Sequence, residues 1–122
     1  LAFSYQLKML SSDSQGLWLL PDHRILSKRI LSEAMSYTFK NRIQVAGFSR
    51  NLFKHGALLY VGVKANDLAK TAIKQLKRSN RTNNKKNSTL FVDNADIAIN
   101  NDLATSMKIR IPENLKHLLE SP

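Results

Sequence analysis

The sequence predicts a mostly α-helical domain, in which a medium, a long and a short helix are joined by short β-like links. Pro21 and Asp22 form a helix-start signal, and apolar residues recur at helical spacing from Leu58 to Leu76. The chain has 122 residues, which fits a single domain. We therefore expect one helical unit built around the long stretch.

Length and composition limit what can hold this domain together. A domain of this size buries roughly two thirds of its unfolded surface, and the absence of cysteine excludes disulfides and thiolate metal sites. No apolar run approaches the roughly 20 residues of a membrane span. The chain starts at Leu1, without methionine or a visible signal peptide. We expect a soluble piece of a longer protein.

The positive charge is concentrated in one segment. Nineteen Lys and Arg residues oppose nine Asp and Glu residues, which gives a net charge of +10. Between Lys64 and Lys86, eight basic residues accompany the single acid Asp67. Such a balance is typical of proteins that contact nucleic acid, an acidic protein or an anionic membrane.

The amino-terminal third predicts two helices. Residues 2–10 have the apolar spacing of a short amphipathic helix, and residues 16–20 form an extended, buried approach to the first main helix. Pro21 suits the first turn of that helix, and the Asp22 side chain can accept hydrogen bonds from unpaired amides. The helix is predicted to end near Phe39.

The middle of the chain predicts the longest helix. After a brief β-like link over residues 40–45, apolar residues keep helical spacing from about Ala46 to Arg78. Three interior glycines argue against it, because each costs about 1 kcal/mol relative to alanine, and a break near Gly56 is one alternative. In another, "ALLYVGV" over residues 57–63 is a strand, because its Leu and Val residues also alternate. We favour the helix, since the helical spacing continues.

The last third predicts shorter elements. Residues 78–88 are polar and basic and predict a solvated loop. Residues 89–92 predict a short strand, and Asp93 is a plausible cap for a short helix over residues 95–103. After a further extended piece, residues 112–121 predict a last short helix with leucines on one face.

This order of elements is the layout of the histone fold. A long central helix crossed by two shorter ones exposes an apolar face that one chain cannot cover, so two such chains clasp head to tail. The predicted organisation is a flanking segment over residues 1–20, a histone-fold-like domain over 21–103 with a basic loop at 78–88, and an extension over 104–122.

Two stretches resemble a known family. "LLPDHRILSKRI" resembles the start of the first histone-fold helix in the Ada-type adaptor subunit of the SAGA transcriptional coactivator, and "LLYVGVKANDLAKTAI" is similar to the second helix. Together they span about residues 19–78, and neither is a strict signature. The resemblance implies a nuclear, non-enzymatic scaffold subunit. Its partner would be a histone-like TATA-binding-protein-associated factor within a multi-subunit complex.

Two surfaces follow from these hypotheses. The expected partner interface comprises Leu26, Ile30, Ala34, Tyr37, Leu52, Leu59, Val63, Leu68 and Ile73. In the alternative function, a DNA- or chromatin-binding helical or winged-helix domain, phosphates are gripped by the basic 64–86 segment. The residues expected to contact nucleic acid are Lys70, Lys74, Lys77, Arg78, Arg81, Lys85 and Lys86. A solvated helix end is the competing reading of this segment.

Catalytic and metal-binding patterns are missing from the sequence. The three histidines are far apart and have no second ligand at a metal-like spacing, so surface positions are expected. No nucleophile elbow or phosphate-binding glycine loop occurs. We therefore predict no enzyme, no cofactor, no metal, no membrane contact and no small-molecule substrate. Trp18 is read either as core or as an anchor in a partner's pocket.

Overall fold

The protein has an α/β fold. The computed structural model describes residues 2–11, 13–22, 27–81, 91–92 and 94–122. The helices are α1 (Ala2–Ser11), α2 (Lys28–Lys40), α3 (Arg50–Lys54), α4 (Ala65–Arg81) and α5 (Asn101–Ser106), and a 3-10 helix spans Glu113–Leu118. The strands are β1 (Gly16–Trp18), β2 (Gln44–Gly47), β3 (Leu59–Gly62), β4 (Asp96–Asn100) and β5 (Leu119–Glu120). The predicted mostly α-helical, histone-fold-like architecture is therefore wrong.

The strands form one mixed sheet in the order β1-β2-β3-β4-β5. β1 pairs with β2, β2 with β3, and β4 with β5, in each case in parallel. The amide of Asn100, at the end of β4, donates to the carbonyl of Leu58, just before β3, at 2.8 Å. Because the end of one strand lies beside the start of the other, β4 runs antiparallel to β3.

The chain divides into two compact units. The first comprises residues 1–61 and 97–122, and the second comprises residues 62–96 and contains α4. In the first unit, Leu31 and Met35 of α2 pack against buried residues of the sheet and of α3. These buried residues are Leu19, Val45, Leu52 and Ala57. A second cluster joins Phe53 of α3 to Tyr60 and Ala98 of the sheet.

The first main helix begins later than predicted. Ser27 caps α2, and its hydroxyl accepts a hydrogen bond from the amide of Ile30 at 3.3 Å. The helix ends at Lys40, one residue beyond the predicted Phe39. The expected cap at Asp22 is wrong, since Asp22 belongs to the segment that follows β1, and residues 23–26 lie outside the described part of the chain.

The predicted long helix over residues 46–78 is instead the series β2, α3, β3 and α4. Two glycines explain why this segment is not one continuous helix. A Cβ at Gly47 would lie 3.0 Å from the Leu52 Cβ, and Gly56 has a φ of +105°, a conformation that L side chains rarely adopt. In β3, Tyr60 is buried on the α3 side of the sheet while its neighbours Leu59 and Val61 are half-buried. The strand alternative for "ALLYVGV" is therefore confirmed.

The carboxyl-terminal elements also differ from the prediction, whereas α1 is confirmed. α4 continues to Arg81, so the first residues of the predicted loop over 78–88 are helical, and residues 82–90 and 93 lie outside the described part. The predicted helix over 95–103 is wrong, because Ala98, Ile99 and Asn100 are buried in succession, as in a strand covered on both faces. The last predicted helix is a 3-10 helix followed by β5.

Candidate ligand-binding edge of the sheet

The parallel strands β1 and β2 end at the same edge of the sheet, and α2 and α3 follow them. We define the carboxyl edge as residues 20–22 after β1 and 48–50 after β2, all of which belong to the first unit. Loops at the carboxyl ends of parallel strands carry ligand sites in many α/β proteins, because chain reversal there exposes backbone and side-chain polar groups. We therefore take the carboxyl edge as the candidate ligand-binding site.

On the β1 side, the sheet holds the chain up to the residue before the edge. The amide of Leu19 donates to the carbonyl of Ala46 at 2.9 Å, and the Leu19 side chain is buried in the core. Leu20 and Pro21 are exposed, and Asp22 is half-buried. A carboxylate is thus placed four residues beyond the end of β1, where the backbone has just left a fixed strand.

On the β2 side, the turn into α3 is tight. Gly47 leaves room for Leu52, and the Ser49 hydroxyl accepts from the Leu52 amide at 3.3 Å as the cap of α3. The Arg50 guanidinium lies 4.6 Å from the centre of the Tyr60 ring and forms an ion pair with Glu120. Of these two edge residues, Arg50 is therefore held over Tyr60 of β3 and paired with Glu120 of β5, whereas the Ser49 hydroxyl caps α3.

A hollow of about 430 Å³ lies between α2 and α3. Its lining combines apolar and polar side chains: Leu31, Met35 and Leu52, and Lys28, Ser32, Asn51 and His55. Lys28 is the first residue of α2 and Asn51 is the second residue of α3, so this end of the hollow lies at the start of both helices. Its volume falls in the range of small-molecule sites, which is roughly 300–1,000 Å³.

A larger hollow of about 660 Å³ lies within the first unit and has a different character. It is lined mainly by apolar side chains such as Leu59, Ile99, Ile111 and Leu115, with Arg110 as its one charged lining residue. Trp18, predicted as core or anchor, stands on this hollow and is 67% exposed. Such a surface suits an apolar contact rather than a charged ligand.

The residues of the predicted partner interface are divided between the two units and differ in exposure. Residues of the first unit are mostly covered: Ala34 and Leu52 are buried, and Ile30, Tyr37 and Leu59 are half-buried. Val63, Leu68 and Ile73 belong to the second unit and are exposed. Leu26 lies outside the described residues.

The predicted nucleic-acid contacts are grouped on one helix. Four exposed residues, Lys70, Lys74, Lys77 and Arg78, lie on α4, and Arg81 is its last residue. Lys85 and Lys86 lie outside the part that the structure describes. Whether these groups contact DNA stays a prediction.

The described residues contain no group of three or more His, Cys, Asp or Glu side chains that could hold a metal ion. None of their helices combines the length and the apolar character that crossing a membrane requires. Of the histidines, His55 and His117 are exposed and His23 is outside the described ranges.

Sequence reasoning missed the carboxyl edge because it assigned Asp22 to the start of one helix and Ser49 to the first turn of another. A signal was available in both places. "GLWLLPD" and "QVAGFS" each run from an apolar stretch into a proline or glycine and then a polar side chain. This is the pattern of a strand that ends at a functional edge.

Comparison with known proteins identifies fold neighbours. No family model and no curated protein matches the chain. An ABC domain from Streptococcus pneumoniae, solved in complex with L-Trp, is similar with a TM-score of 0.68 and 16% identity. A conserved domain protein from Vibrio cholerae is similar with a TM-score of 0.64 and 17% identity. The matches cover 98% of this chain but only 41% and 40% of those chains, so it spans about two fifths of their length.

These neighbours correct the family-based expectations. They share an α/β fold with this chain at low identity, and neither is a histone-fold protein. The resemblance to the Ada-type subunit of SAGA is therefore wrong, as is the histone fold that it implied. The expected nuclear location and transcriptional role are wrong as well, because both neighbours come from bacteria and nothing else supported those expectations.

Proposed function

We propose that this chain binds a small polar molecule of the amino-acid class at the carboxyl edge of its sheet. The observation that carries the proposal is the placement of Asp22 and Ser49 after neighbouring parallel strands. One protein that shares the fold was solved with L-Trp. We further propose that the chain binds its ligand without chemical conversion.

The chemistry of the edge suits an amine-bearing ligand. A half-buried carboxylate such as Asp22 accepts charge-assisted hydrogen bonds from an ammonium group, which are stronger than those between neutral groups. The Ser49 hydroxyl can donate to a ligand oxygen while it accepts from the Leu52 amide. The hollow between α2 and α3 includes Asn51, which directly follows the edge residues 48–50, and its volume of about 430 Å³ has room for an amino-acid side chain.

The test is isothermal titration of the chain with the genetically coded amino acids, with a sugar and a nucleotide as unrelated compounds. We expect at least one amino acid to bind. Asp22→Asn should weaken that binding about tenfold or more, because it removes the charge from a hydrogen bond worth about 1.5–3 kcal/mol. Glu33→Gln is the matched control, since Glu33 lies on α2 in an exposed pair with Arg29.

Two results would overturn the proposal. If no amino acid binds, the ligand class is wrong. If Asp22→Asn binds as tightly as the parent chain, the carboxyl edge is not the site.

DNA contact by α4 is a second candidate function. The observation in its favour is that Lys70, Lys74, Lys77 and Arg78 lie close together on one helix and are exposed. Phosphate contacts from such side chains are sequence-independent and sensitive to salt.

A further inference from the structure

The helix α4 has a continuous apolar stripe. Six residues recur at spacings of one, three or four, which places them on one side of an α-helix. We call this set the α4 stripe: Ala65, Leu68, Ala69, Ala72, Ile73 and Leu76. The three alanines have small side chains, so the helix surface between the three large side chains is low.

The large side chains of the α4 stripe are exposed. Leu68 is 57% exposed, Ile73 is 52% exposed and Leu76 is 64% exposed. Single exposed apolar residues are common, but three on one face of a 17-residue helix form a contiguous patch. Such patches mark contact surfaces, because covering them removes apolar area from water.

One border of the α4 stripe is basic. Lys70 precedes Ile73 by three positions and Lys77 follows it by four, so both lie beside Ile73 on the helix surface. Both lysines are exposed. A surface that docks here therefore meets an apolar strip with positive charge along one side.

We propose that the α4 stripe docks an amphipathic helix of a partner protein whose rim is acidic. The alanines let a second helix approach closely, Leu68, Ile73 and Leu76 supply the apolar contact, and the lysines attract the partner's carboxylates. The α4 stripe belongs to the second unit, and the carboxyl edge belongs to the first.

Charge and shape select this occupant over two others. A second copy of this chain carries +10 and would bring the same lysine rim, so the two rims repel. An anionic membrane would attract the lysines, but helices that lie in membrane interfaces rely on Trp, Phe and Leu, whereas half of the α4 stripe is alanine.

The experiment uses the full chain and synthetic peptides, with fluorescence anisotropy as the readout. The main probe is a heptad peptide with leucine at positions a and d and glutamate at e and g. One control peptide has the same composition in scrambled order, and another has lysine in place of glutamate. Vesicles of phosphatidylserine and phosphatidylcholine test the membrane, and light scattering after gel filtration tests self-association.

We expect the acidic heptad peptide to bind and to weaken with salt, and the two control peptides to bind at least tenfold more weakly. The double variant Leu68→Ser and Ile73→Ser should reduce binding about tenfold or more, whereas Lys74→Gln, which leaves the stripe and the lysines beside Ile73 intact, should change it about twofold at most. Leu76→Ser replaces the double variant if that variant loses its helical circular dichroism.

Several outcomes would overturn the docking proposal. If the scrambled peptide bound as tightly as the acidic heptad peptide, charge alone would explain the binding. The same conclusion would follow if Lys74→Gln and the double variant lost the same amount of binding affinity. No binding of the acidic peptide excludes the proposed partner. Vesicle binding that depends on the stripe assigns it to membranes, and a dimer disrupted by the double variant assigns it to a second copy.

Discussion

Replacing Gly47 with alanine tests the strand assignment through the sign of a stability change. An added Cβ would lie 3.0 Å from the Leu52 Cβ, 3.2 Å from its Cδ1 and 3.5 Å from the Ala57 Cβ, whereas carbon atoms pack best at about 3.5–4.0 Å. Leu52 cannot easily retreat, because its amide is bonded to Ser49 and its carbonyl accepts from Ala57 at 3.0 Å. Overpacking of this kind costs about 1–3 kcal/mol.

One further effect sets the net change in the free energy of unfolding. Alanine restricts the unfolded chain more than glycine does, which returns about 0.4–1 kcal/mol, so Gly47→Ala should lower the free energy of unfolding by about 1 kcal/mol. In the helical reading of residues 46–78, the same change would raise it by about 1 kcal/mol. The two structures therefore predict opposite signs.

Urea unfolding followed by far-ultraviolet circular dichroism measures this difference. Gly16→Ala is the control, since a Cβ there would meet only the Gln44 carbonyl at an ordinary 3.6 Å. It should be neutral or slightly stabilising. The reasoning is refuted if Gly47→Ala stabilises the protein as much as Gly16→Ala or more.

Two further predictions concern α5 and α4. Asn100 is 4% exposed, and its side chain accepts a hydrogen bond from the Leu103 amide at 2.9 Å, as the cap of α5. Asn100→Ala should lower the free energy of unfolding by about 0.5–2 kcal/mol, and Asn100→Ser by less. Equal thermal unfolding of both variants would contradict a capping role. If α4 contacts DNA, replacing Lys74, Lys77 and Arg78 with alanine should reduce the slope of log affinity against log salt by about 3, which is 0.9 per lost phosphate contact. An unchanged slope would remove this candidate function.

The sequence identifies helices in this protein better than strands. The apolar spacing in residues 2–10 and 28–39 correctly predicts helices, because each helix has several turns over which the apolar pattern repeats. The strands have two to five residues, so a run such as Leu59 to Gly62 fits helical and strand spacing equally well. What decides between them is pairing with β2, which is a contact between distant residues and leaves no local signal.

The positions of Gly47 and Gly56 indicate turns, which helix propensity alone does not show. In a long helix Gly47 and Gly56 are small penalties, whereas in the structure one makes room for Leu52 and the other adopts a positive φ. Read together as turn signals, they divide the predicted helix near its true boundaries.

The candidate site was harder to predict than the fold. Asp22 and Ser49 are 27 positions apart in the sequence, and they lie at the same edge of the sheet because β1 and β2 are parallel. The apolar stripe on α4 was visible in the sequence, because six residues on one helix define it without any tertiary contact. Local features were thus predictable, and features that depend on strand order were not.

The most direct test of the proposed function is a map of backbone amide shifts by nuclear magnetic resonance during titration with the coded amino acid that binds most tightly in the isothermal titration. The proposal predicts that the largest shifts fall on Asp22, Ser49 and Arg50 and reach Lys28 and Asn51, which line the hollow between α2 and α3. Shifts centred on Trp18 and Leu59 in the apolar hollow, or no shifts up to the solubility limit of the amino acid, would contradict it.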